Sequence, residues 1–104
     1  IMDMYEVVRG GGYDHEVGYL KTTSYGTPLE VLSSSGIISG GSAFVTYKLP
    51  EYIKSGSQIE VTLNNELLEQ GNDYSVDVST STLSMRYDTN SQGSDYVYAI
   101  VLRG

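Results

Sequence analysis

The run from Gln58 to Val78, QIEVTLNNELLEQGNDYSVDV, constrains the fold more than any other part of the chain. On an extended backbone, Ile59, Val61 and Leu63 fall on one side, and Gln58, Glu60, Thr62 and Asn64 on the other. Asn64-Asn65 permits a reversal, because asparagine tolerates the left-handed backbone that a tight hairpin turn demands. Leu67 and Leu68 carry the chain back, and Gly71-Asn72 breaks it again. Asp73 can accept backbone N–H bonds and fix that second turn. Tyr74, Val76 and Val78 then share a face, with Ser75 and Asp77 opposite. Apolar residues at every second position, bounded by turn residues, mark half-buried antiparallel strands. The same run holds no arrangement of side chains that dictates a reaction.

The rest of the chain repeats this pattern with weaker punctuation. Strands are predicted over 4–9, 17–23, 29–32, 42–49, 83–87 and 96–103. In the segment 42–49, Ala43, Val45, Tyr47 and Leu49 form one face, and Phe44, Thr46 and Lys48 the other. Ser33-Ser34-Ser35-Gly36 is expected to end the third strand, and Pro50–Lys54 to form one helical turn with proline at its first position. The final strand is apolar on both faces, which places it centrally in a covered sheet or against a partner subunit. About seven strands, with turn signals roughly every ten residues, predict an all-β small antiparallel β-sandwich, immunoglobulin-like or jelly-roll-like. The expected layout is a single domain over 1–104: a Gly/Ser/Tyr-rich arm and loop region with short strands over 1–41, then regular hairpins over 42–104, consecutive from Ile59 onward.

Composition narrows the partners. Thirteen acidic residues against six basic ones give a net charge of −7. Phosphate binding needs a basic patch, so no nucleic-acid partner is expected, and no anionic membrane surface. No apolar run is long enough to cross a bilayer as a helix. The chain has no cysteine, which removes disulfides and thiolate metal ligands. It begins at Ile1, as a processed or partial product would.

Candidate chemistry is sparse. His15 is the only histidine, and Asp14, Glu16 and Ser24 lie near it in sequence. Sequence neighbours do not make a catalytic triad, which is a matter of spatial geometry, and an exposed loop histidine is the simpler reading. Asp88, Asn90 and Asp95 supply oxygens as a calcium loop would. However, position twelve counted from Asp88 is Ala99, where such a loop carries glutamate. Gly10-Gly11-Gly12 lacks the Lys-Ser/Thr of a phosphate loop and reads as a joint after the first strand. No catalytic residue, metal or cofactor is expected.

Ten tyrosines are more than a small core should hide. Tyrosine joins an apolar ring to a polar tip and therefore suits interfaces. Tyr13, Tyr19 and Tyr25, with the Ile37-Ile38 pair isolated between Ser/Gly breaks, are the expected interface residues. Exposed tyrosine rings would also stack on sugars, so a glycan partner stays open.

The C-terminal half carries a family resemblance. Val61–Leu68 (VTLNNELL), Gly71–Val76 (GNDYSV) and Leu83–Met85 (LSM) resemble a β-module of tailed-bacteriophage virion proteins. In that pattern a strand ends in Leu-Asn-Gly, an apolar pair returns, and Gly-x-Asp-Tyr leads into further strands. Here Asn65 stands in place of the usual glycine. Similar hairpins occur in immunoglobulin-like modules of bacterial surface enzymes. The resemblance implies a non-enzymatic structural protein on the virion exterior, passing through the host cytoplasm before assembly. A capsid decoration protein is expected first, since the chain is small and has no coiled-coil segment. Its partners would be the major capsid protein or other virion proteins and copies of itself, a trimer among the options. A tail-fibre or cell-surface module that binds carbohydrate is the alternative.

Overall fold

In the computed structural model, the described residues are 2–9, 19–22, 29–34, 42–88 and 96–104. They form nine strands: β1 Met2–Arg9, β2 Tyr19–Thr22, β3 Val31–Ser34, β4 Ser42–Lys48, β5 Ile59–Leu63, β6 Glu66–Leu67, β7 Tyr74–Asp77, β8 Thr82–Asp88 and β9 Tyr96–Arg103. A larger, five-stranded sheet has the order β2-β1-β9-β5-β6, and a smaller, four-stranded sheet the order β3-β4-β8-β7. All the strand pairs within them are antiparallel.

Alternation decides which side of each sheet turns inward. The larger sheet buries Tyr5, Val7, Ile59, Val61, Tyr98, Ile100 and Leu102. The smaller buries Val45, Tyr47, Tyr74, Leu83, Met85 and Tyr87 in the same cluster. The sheets therefore pack face to face across one shared core. Tyr87 of β8 meets Tyr98 of β9 edge-on, with ring centroids 4.8 Å apart and planes at 90°, a favoured aromatic geometry. The hydroxyls of Tyr47 and Tyr87 lie 2.9 Å apart, so two buried phenols satisfy each other.

Expectations change at several points. The described strands number nine rather than about seven, and the two-residue β6 at a sheet edge is too short to show alternation. An edge strand buries little and so carries weak alternation. The predicted break at Ser33-Ser34 is part of β3, where both residues pair with β4. All four β3 residues are exposed, and the register shifts between Val31 and Ser33. Such an irregularity blunts an open edge.

The helical turn expected at Pro50–Lys54 is instead a plain turn, and a short 3₁₀ helix follows at Gly56–Gln58. Ser55 and Gln58 displace it by forming a capping box. The Gln58 Oε1 accepts bonds from the Lys54 and Ser55 N–H groups at 2.6 and 2.9 Å. Its Nε2 donates to the Tyr52 and Arg103 carbonyls at 3.1 and 2.8 Å. Gln58 thus ties this connection to the end of β9.

The successive hairpins β5–β6 and β7–β8 are divided between the two sheets. β5–β6 belongs to the larger sheet and β7–β8 to the smaller, so the chain crosses between layers over 68–73. Alternation fixes which side chains point inward but not which sheet a strand joins. Val78 lies beyond β7 and is exposed rather than sharing the buried face of Tyr74.

Candidate interaction surface

The turn residues stand where their chemistry requires. Asn64 and Asn65 adopt φ of 49° and 70°, the left-handed pair of a two-residue hairpin. They join β5 to β6 with Leu63 opposite Glu66. Asn64 also reaches β9: its N–H donates to the Val97 carbonyl at 2.9 Å, and its Oδ1 accepts from the Val97 N–H at 3.0 Å. The turn therefore sets the start of the central strand as well as its own hairpin. Gly71 has φ of 93°, a conformation that side-chain-bearing residues avoid. Asp73 accepts the Glu69 N–H at 2.7 Å through Oδ2, as expected of a turn-fixing carboxylate.

β9 lies between β1 and β5. Its inward residues Tyr98, Ile100 and Leu102 are buried, while Val97, Ala99 and Val101 face outward and are half-buried. Pairing places Met4 and Glu60 on either side of Val101, and Glu6 and Thr62 on either side of Ala99. Leu67 extends the second row beyond Thr62 and is 70% exposed. Met2 stands across from Arg103 and is also exposed. Arg103 pairs with Glu60 at 2.8 Å, both side chains being about half exposed. The outer side of the larger sheet is thus an apolar strip with charged groups at its rim.

The outer side of the smaller sheet is different. Thr46 and Ser84 pair across β4 and β8, with hydroxyls 3.2 Å apart. Ser75 stands opposite Ser84 from β7. One rung away, Phe44 stands opposite Arg86, and Asp73 follows in the register just before Tyr74. Phe44 is 53% exposed. Phe44, Ser75, Ser84 and Arg86 line a shallow cleft of about 180 Å³ together with the Gly71–Asp73 turn.

Burial is the fate of the tyrosines with described side chains. Tyr5, Tyr47, Tyr74, Tyr87 and Tyr98 are buried, and Tyr52 is half-buried. Tyr52 donates its hydroxyl to the Asp3 carboxylate. Desolvation, and then that carboxylate, push the Tyr52 phenol well above its usual range. Desolvation likewise raises Tyr5, Tyr47 and Tyr74.

Of the expected interface residues, Tyr13, Tyr25, Ile37 and Ile38 lie outside the described residues. Tyr19 opens β2 and pairs with Val8, its side chain lying outside the description. Asp14, His15, Glu16, Ser24, Asn90, Asp95 and Gly10–Gly12 are outside as well. Among the described residues, no group of three or more His, Cys, Asp or Glu is placed to hold a metal ion. Sequence reasoning did not single out Phe44 or Gln58. The signals were a phenylalanine on the polar side of its strand and the Ser55-x-x-Gln58 spacing of a capping box.

No family model, no curated protein and no solved structure matches this chain.

Proposed function

We propose that this chain is a non-enzymatic structural protein of a bacteriophage particle, a capsid decoration protein that docks its larger sheet on capsid subunits. The observation that carries the proposal is the outward side of β9, where Val97, Ala99 and Val101 stand beside Met4, with Met2 near one end and Leu67 beyond Thr62. Burying such side chains is favourable by about 0.8 kcal/mol per methylene. An apolar centre with charges at its edge, here Glu6 and the Glu60–Arg103 pair, has the anatomy of a protein interface. Repetition by symmetry then turns weak contacts into a reinforced shell.

Two further observations support the reading. The polar residues of the Gln58–Val78 run are engaged in holding turns, as befits a scaffold. The pairing also favours a jelly-roll-like class over an immunoglobulin-like one. β1 pairs with β9 and β4 with β8, so a folded-back double strand wraps the core, and jelly rolls are frequent in capsid architecture. We further propose a homo-oligomer, a trimer at a three-fold position, assembled from the host cytoplasm onto the virion exterior.

Mass spectrometry of purified particles of the encoding phage tests the role. The chain should be present at a fixed ratio to the major capsid protein, and its absence would overturn the proposal. A solution mass three times that of the chain would support the trimer.

A further inference from the structure

We infer that docking through the larger sheet brings an arginine of the partner protein onto the rung Glu6–Ala99–Thr62, where its guanidinium pairs with the Glu6 carboxylate. The inference rests on the proposed docking role of this face and names the chemistry that the partner presents there.

Two neighbouring rungs of β1, β9 and β5 treat their acidic residue differently. One sets Met4, Val101 and Glu60 side by side, and Glu60 has its cation within the chain, Arg103 at 2.8 Å. The next sets Glu6, Ala99 and Thr62 side by side. Glu6 is half-buried, and among the described residues it has no ion pair. Lys21 stands across from Glu6 on the side away from Ala99, its side chain lying outside the description. Covering the strip would remove the water that still solvates the Glu6 carboxylate. Burying a carboxylate without a cation is heavily penalised, so a partner that docks here has to bring a positive charge to Glu6, whereas Glu60 needs none. The net charge of −7 favours the approach of a basic surface.

The shape of the rung selects arginine over lysine. Ala99 presents a single methyl group between the larger side chains of Val97 and Val101, which leaves a shallow notch in the strip. Two strand spacings, about 10 Å, separate the Glu6 and Thr62 backbones across that notch. The hydrocarbon stem of an arginine can lie over the valines. Its planar fork then donates to the Glu6 carboxylate on one side and to the Thr62 hydroxyl on the other. Lysine offers a compact, strongly hydrated charge and no such fork.

The test is rebinding of the purified chain to particles of the encoding phage from which it has been stripped, read as occupancy against free concentration over a range of salt. Glu6→Gln should bind about thirty-fold more weakly and with a shallower salt dependence. Glu66→Gln removes the same charge from an exposed residue of β6 that pairs with Leu63 and should bind as the parent does. Phenylglyoxal, which blocks arginine side chains, is applied to the stripped particles alone. It should lower parent binding to the level of Glu6→Gln and leave Glu6→Gln unchanged. The thermal midpoint of Glu6→Gln should match the parent, because no described ion pair is lost. If Glu6→Gln binds as the parent does, or phenylglyoxal leaves parent binding intact, the arginine contact is overturned and the docking role stands. If the parent itself does not rebind, the docking role fails and the inference falls with it.

Discussion

On the larger sheet, the outward positions carry Met4, Val97, Ala99, Val101 and Leu67 with Glu6, Glu60 and Thr62 beside them; on the smaller, they carry Phe44, Thr46, Ser75, Ser84 and Arg86. Their inward positions are interchangeable in kind, being tyrosine, valine, leucine, isoleucine and methionine. An antiparallel sheet needs only one apolar side to fold. The outward residues are thus released from the work of folding, and the two sheets have filled them with different chemistry. The larger sheet is apolar along its central strand, while the smaller carries hydroxyls and, among the described residues, the exposed ring of Phe44.

The strongest way to break this comparison is to remove the core that both faces share. Tyr87 is fully buried and touches both sheets through Tyr47 and Tyr98. Tyr87→Ala should cost about 3–5 kcal/mol in urea unfolding and disable both faces together. Tyr87→Phe, which keeps the ring but takes the hydroxyl partner from Tyr47, should cost about 1–3 kcal/mol. An equal loss for the two variants would contradict the packing described.

Alkaline pH strikes the inner faces through four phenols at once. Tyr5, Tyr47, Tyr52 and Tyr74 have folded pKa values above the ordinary 10.0. Above that pH the folded state holds more protons than the unfolded one, so stability falls as pH rises. Their contribution should be fully present below pH 10 and decline as pH climbs towards the raised values. Thermal midpoints followed together with phenolate absorbance would check this. A midpoint that stays level while tyrosines ionise would contradict it.

Smaller changes separate the faces. Val101→Asp places a charge on a half-buried outward site and should cost about 1 kcal/mol in stability. Its larger effect should be on particle occupancy. Ser75→Asp, on the exposed outer side of the smaller sheet, should leave occupancy unchanged. Gln58→Ala touches neither face. It removes the bonds to Lys54, Ser55, Tyr52 and Arg103 and should cost about 1 kcal/mol by thermal unfolding.

Much of the fold was legible because alternation is a local signal. Ile59, Val61, Leu83, Met85 and Tyr87 are buried as their spacing predicts, and Asn64-Asn65 turns the chain as its residue types predict. What stayed hidden depends on long-range register. The Asn64–Val97 bonds span 33 positions, and the Phe44–Arg86 pair requires knowing that β4 lies beside β8. The crossing from β6 to β7 was hidden for the same reason, since both hairpins have the same local pattern. Several tyrosines enter the core because a ring that suits an interface is also a good core filler when its hydroxyl finds a partner, as Tyr47 and Tyr87 do.

The contrast between the two faces can be put to one measurement. A photo-crosslinking residue is introduced at Leu67 in one variant and at Ser75 in another, and each is irradiated in assembled particles of the encoding phage. The account predicts efficient crosslinks from position 67 to a capsid subunit and few from position 75. Crosslinks from position 75 alone, or from neither, would contradict the assignment of the larger sheet as the docking face.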